Sequence, residues 1–139
     1  MHVVQLTDPQ RLRAFLETDR AWADYALGDL EPGLFQLTEW HGAEESGVLI
    51  ALAMSYHGLR PPICFLMGEE RGVDLLLAQA VTLPQIGLSV RDEHLPALRR
   101  FYDVTHSIPM WKMVLDAREF RPVATEGAVR LSSAAAPDL

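Results

Sequence analysis

The stretch Ile63-Cys64-Phe65-Leu66-Met67-Gly68-Glu69-Glu70-Arg71-Gly72-Val73-Asp74-Leu75-Leu76-Leu77-Ala78-Gln79-Ala80 decides the fold. Residues 63–67 form a short, unbroken apolar run, which reads as a buried strand. At Gly68 the period changes. Val73, Leu76, Leu77 and Ala80 then share one helical face, with Leu75 beside it. A strand that feeds directly into an amphipathic helix predicts an α/β chain with at least one βα unit. The helix is expected to begin near Gly72.

Upstream, residues 48–56 are a longer apolar run, expected to be a strand covered on both faces, and residues 58–62 turn the chain. Residues 34–40 roughly alternate and predict a strand. The polar stretch 41–47 reads as a hairpin loop. Two helices are expected before them. Thr7-Asp8-Pro9-Gln10 is a helix start, with Asp8 as cap and Pro9 at the first position, ahead of Leu12, Phe15 and Leu16. Residues 20–27 carry Trp22, Tyr25 and Ala26 on one side, and Gly28 and the Glu31-Pro32-Gly33 turn close them.

Downstream, Pro84 follows the helix and residues 86–90 predict a short strand. Asp92 is placed to cap a helix bearing Leu95, Leu98, Phe101 and Tyr102. Met110-Trp111-Lys112-Met113-Val114-Leu115 reads as the last strand. Antiparallel strands come first and βαβ units later. The expected fold is α/β of the mixed α+β kind: a largely antiparallel central sheet with helices on both faces. Residues 1–131 are expected to form one domain, and residues 132–139 a linker or frayed tail.

Composition narrows the function classes. At 139 residues and 49% hydrophobic content the chain can bury a core. A formal net charge of −7, with no basic run, argues against a nucleic-acid partner. The longest apolar stretch, 48–54, is strand-sized, so no membrane partner is expected. Residues 1–5 lack the basic and apolar regions of a signal peptide. Cys64 is the single cysteine, which suits a reducing, cytoplasmic setting. The five histidines, His2, His41, His57, His94 and His106, show no helical i, i+4 pair, so no metal is expected. Cys64, inside an apolar strand, reads as a small hydrophobe, and Trp22, Trp40 and Trp111 as core or interface anchors.

Two short motifs carry chemistry. The first is Glu69-Glu70-Arg71-Gly72-Val73-Asp74 at the start of the helix. The second is Phe101-Tyr102-Asp103-Val104-Thr105-His106. Together with the order of elements, over residues 12–115, they make the chain resemble the GNAT superfamily of acetyl-CoA-dependent N-acetyltransferases. In that family the strand before the helix leads into a loop of the form Gln/Arg-x-x-Gly-x-Gly/Ala, which holds the coenzyme pyrophosphate. The resemblance assigns Arg71, Gly72 and Val73 to that loop. It assigns Tyr102 the role of the general acid that protonates the departing thiolate.

The loop departs from its pattern. Glu69 replaces Gln or Arg, and Asp74 replaces the small residue, so only Gly72 matches. A helix N-terminus attracts phosphate through free N–H groups and the dipole, and it attracts carboxylates for the same reason. Glu69, Glu70 and Asp74 crowd that pole, and Arg71 offsets one charge. Acetyl-CoA is therefore expected to bind weakly or not at all. Tyr102 fits its motif, but the family's following Gly-Phe is absent, and packing beside Phe101 with its hydroxyl at the surface is the favoured reading. The leading expectation is a non-catalytic domain, like the first half of a tandem GNAT protein, that supports a second GNAT-like domain or a second copy of itself. One rival is an active acetyltransferase on a small amine. The other is a dimerisation module joined through a sheet edge.

Overall fold

The structure, a computed structural model, describes residues 1–123 and 126–129. Its centre is a five-stranded sheet in the order β1-β2-β3-β4-β5. The strands are β1 (His2–Gln5), β2 (Thr38–Glu45), β3 (Val48–Tyr56), β4 (Ile63–Gly68) and β5 (Gly87–Ser89). Strands β1 to β4 pair antiparallel, and β5 joins β4 in parallel. The helices are α1 (Pro9–Leu16), α2 (Asp24–Gly28), α3 (Pro32–Phe35), α4 (Glu70–Gln79) and α5 (Leu95–Phe101).

Alternation along the strands sorts side chains into two cores. Ala51, Ala53, Cys64 and Leu66 face α4 and α5, where Val73, Leu76, Leu77 and Leu98 meet them. Leu52, Met54, Phe65 and Met67 face the other way, onto Leu12 and Leu16 of α1 and Ala26 of α2. Helices therefore cover both faces of a mixed, largely antiparallel sheet, as the sequence predicts.

The junction of β4 and α4 is where the expected switch lies. Gly68 has φ +115°, and a Cβ there would stand 2.3 Å from the Ile50 carbonyl oxygen, so only glycine fits. Helix α4 begins at Glu70, two residues before Gly72, with Glu69 as its cap. Asp8 caps α1 by accepting from the Gln10 N–H at 2.9 Å, with Pro9 behind it, as expected.

Six expectations need correction. Residues 20–27 do not form one helix. The Asp19 carbonyl accepts from Trp22 and Ala23, its carboxylate accepts from Trp22, and this local turn holds α2 back to Asp24. Residues 34–37 are not strand. Pro32 starts the one-turn helix α3, and β2 begins at Thr38. Residues 41–45 are strand rather than loop, because a two-residue turn at Ser46 (φ 52°) and Gly47 (φ 81°) suffices to reverse the chain. Asp92 caps no helix: it opens a short 3-10 turn over 92–94, and α5 follows from Leu95 with His94 at the cap position and no side-chain cap bond. Strand β1, where no element is expected, has only Val3 and Val4 as apolar residues and forms by pairing with β2.

The sixth correction is the largest. Residues 110–115 are not a strand. They run as irregular chain with Trp111 94% and Met113 90% exposed. An apolar run becomes a strand only beside a sheet edge, and this one pairs with none among the described residues. Residues 132–139, expected to be a linker or frayed tail, lie outside the described residues. No helix among the described residues is long and apolar enough to cross a membrane.

Candidate functional site

The site starts at the outer edge of β4. The Glu69 N–H donates to the Ile50 carbonyl at 2.9 Å, so odd-numbered residues of this stretch aim their backbone at β3. By alternation Cys64, Leu66 and Gly68 aim theirs the other way, toward β5. Strand β5 pairs only as far as Phe65, opposite Ser89. Beyond that point the two parallel strands part, and the carbonyls of Leu66 and Gly68 lose their sheet partners.

Two side chains from distant parts of the chain fill that gap. The Trp22 indole Nε1–H donates to the Leu66 carbonyl at 2.9 Å. The His94 Nε2 lies 2.9 Å from the Gly68 carbonyl, which can only accept, so Nε2 carries the proton. His94 is 1% exposed, and its Nδ1 is buried with no hydrogen-bond partner among the described residues. Trp22 is held further by stacking on Phe65, with centroids 5.9 Å apart, and by the Arg91 guanidinium 5.0 Å from its ring centroid. Arg91 in turn pairs with Asp19. The crevice between β4 and β5 is thus closed by Trp22, Arg91 and His94.

The N-terminus of α4 opens beside this crevice. Its cap, Glu69, makes no side-chain hydrogen bond to the helix backbone, and Glu70 occupies the first turn. Arg71 does not reach out. Its guanidinium contacts Glu69 at 2.9 Å and Glu45 of β2 at 2.8 Å. That pairing holds the Glu45 carboxyl below its ordinary range and raises Arg71 further. Asp74 pairs with Arg100 of α5. Gly72 is buried against the sheet, where an added Cβ would stand 2.6 Å from the Ala51 Cβ. Val73 is wholly buried in the core. Of the predicted loop residues, Gly72 and Val73 therefore point inward, and Arg71 is neutralised by two carboxylates.

Tyr102 lies elsewhere. Its hydroxyl contacts the carbonyls of Val81 and Leu83, at 2.9 and 2.8 Å, just past the C-terminal end of α4. With ten residues in α4, that is about 15 Å along the helix from its first turn. Burial, with the neighbouring Cys64, pushes the Tyr102 phenol up. The Cys64 thiol is itself raised by burial, partly offset by Ser55. His57 borders a shallow cleft of about 600 Å³ with Arg60, Pro62 and Pro84, at the far end of the sheet. Among the described residues no three His, Cys, Asp or Glu side chains are grouped to hold a metal.

Sequence reasoning missed Trp22 and His94 as neighbours. Their partners, Leu66 and Gly68, are 44 and 26 residues away and are backbone atoms, which leave no pattern in the sequence.

No family model matches this chain, and no curated protein matches it. Among solved structures, it is similar to a ribosomal-protein-alanine N-acetyltransferase from Brucella melitensis biovar Abortus 2308. The identity is 15% and the TM-score 0.37, over 83% of this chain and 96% of that one. A likeness of that size identifies neither a family nor an activity.

Proposed function

We propose that this chain is an N-acetyltransferase-like domain whose coenzyme crevice is closed by its own side chains, and that it supports a partner domain or a second copy rather than transferring acyl groups. The observation that carries this reading is the pair of bonds from Trp22 to Leu66 and from His94 to Gly68. A ligand entering between β4 and β5 would have to break both and displace a stacked indole.

Charge argues the same way. A diphosphate at the α4 N-terminus would meet Glu45, Glu69 and Glu70, with Arg71 already paired to two of them. At the effective dielectric of a protein surface, each unmatched carboxylate beside a phosphate costs on the order of 1 kcal/mol. Tyr102, with its hydroxyl committed to two carbonyls, supports a packing role over acid catalysis. The exposed apolar side chains of residues 108–115 favour a partner that covers them. A reducing compartment such as the cytoplasm fits the lone, buried Cys64.

Calorimetric titration of the whole chain with acetyl-CoA tests the reading. The expected result is no saturable binding below the millimolar range. A micromolar dissociation constant would overturn it and return Tyr102 to consideration as a general acid.

A further inference from the structure

Of the 12 Lys and Arg residues in this chain only Lys112 is a lysine, and it sits in a built pocket. Its ammonium lies 5.5 Å from the centroid of the Trp22 ring and 5.6 Å from that of Tyr25. It donates to the Trp22 carbonyl at 2.9 Å and to the Asp24 carboxylate. An ammonium has three N–H donors. Two are taken by these oxygens, and the remaining positive surface faces two aromatic rings, which attract it through their quadrupoles.

Two walls of the pocket, Trp22 and Asp24, have partners that do not involve the cation. Trp22 is anchored by its indole bond to Leu66 and by Phe65. The Asp24 carboxylate also accepts from the Tyr25 N–H at 2.7 Å. Nearby cations are matched elsewhere, Arg20 with Glu17 and Arg91 with Asp19. Asp24 is left to Lys112. Burial, the largest single influence, pushes its carboxyl up, and the Lys112 ammonium and the Tyr25 N–H together outweigh it and hold the carboxyl below its ordinary value. A cleft of about 600 Å³, bordered by Ala21, Asp24, Leu27 and residues 112–115, leads to the pocket.

The occupant is loosely attached. Lys112 belongs to the irregular segment whose flanking Trp111 and Met113 are almost wholly exposed, yet its own side chain is 32% exposed. We propose that Trp22, Tyr25 and Asp24 form an alkylammonium-binding site whose internal occupant, Lys112, latches residues 110–115 against α2 until an external primary ammonium displaces it. The ligand class is a primary alkylammonium, carried either by a lysine side chain of a partner or by a free amine. The latch does not depend on whether acetyl-CoA binds.

Two measurements test it. Amine-selective acylation of the intact chain at pH 8, followed by peptide mass spectrometry, reads Lys112 alone, with the Met1 amine as internal reference. Asp24 and Tyr25 are exposed, so the variant Asp24→Asn, Tyr25→Leu keeps the fold, as its circular dichroism will show. Lys112 is expected to react about five- to tenfold more slowly in the unmodified chain than in that variant. Equal rates overturn the latch. Next, Lys112→Met is titrated with butylammonium chloride, and with a blocked peptide containing one lysine, while the Trp22 indole N–H is followed by NMR. Saturable shifts at least about tenfold stronger than in the unmodified chain are expected, because a tethered occupant competes at high effective concentration. Tighter binding of the peptide assigns the site to a protein lysine, and equal binding to free amines. Shifts that sodium chloride reproduces at the same ionic strength, or no shifts, overturn the site.

Discussion

The Tyr102 hydroxyl has one proton and two carbonyls within hydrogen-bond distance, so it joins the end of α5 to the segment after α4. Tyr102→Phe removes that proton and leaves both carbonyls short of a donor. It is expected to cost about 1–2 kcal/mol in urea unfolding. Because the folded phenol is raised above 10.0, the folded state holds its proton more tightly than the unfolded chain does. Stability contributed by Tyr102 is therefore full below about pH 10 and falls as pH climbs above it. A titration of unfolding free energy from pH 8 to 11 reads this, and a Tyr102→Phe variant with the same slope would remove Tyr102 as its source. Cys64 behaves similarly at lower pH. Its raised, buried thiol is expected to react with iodoacetamide at pH 8 at least about tenfold more slowly than the urea-unfolded chain does. At this scale the sequence was legible where chemistry is local. Asp8 and Pro9 announce a helix start, and Cys64 announces a core position. It was misleading at Gly72, which matches a phosphate-loop position but is small because it lies on Ala51.

Elements were legible where their periodicity is self-contained. Strands β3 and β4 and helix α4 announce themselves, since each buries a face that its own residues define. Strand β1 and the far half of β2 do not, since both depend on neighbours, and a Ser46-Gly47 turn is too short to show in composition. Gly72→Ala turns the α4 packing into a test with a definite sign. Helix propensity alone favours alanine by about 1 kcal/mol. Overpacking a Cβ placed 2.6 Å from another costs about 1–3 kcal/mol, and the neighbour, Ala51, is a strand residue fixed on both sides. Packing is expected to win, giving net destabilisation of about 1–2 kcal/mol in denaturant unfolding. Stabilisation would mean that α4 rides higher on the sheet than a 2.6 Å approach to the Ala51 Cβ allows. The gap between β4 and β5 was not legible at all, because what closes it is an indole and an imidazole donating to backbone carbonyls.

At the scale of the whole molecule two forces oppose each other. A net charge of −7 keeps copies apart at low ionic strength. The exposed Ile108, Met110, Trp111, Met113, Val114 and Leu115 form a run of apolar surface larger than scattered side chains account for. Screening weakens the first force and leaves the second intact, since the Debye length falls from about 30 Å at 0.01 M salt to about 8 Å at 0.15 M. Association of this chain is therefore expected to rise with salt, the reverse of an interface held by ion pairs. Sedimentation velocity across that salt range, at concentrations up to about 100 μM, reads the trend. Trp111→Ser with Met113→Ser removes the two most exposed apolar anchors of the segment and is expected to keep the chain monomeric throughout. The Asp24→Asn variant adds a third point. Its carboxylate holds Lys112, so neutralising it frees the segment, and association strengthens if the latch masks that surface or stays unchanged if the surface is open already. A chain that remains monomeric at every salt concentration, with and without these substitutions, would place the partner for residues 108–115 on a different protein.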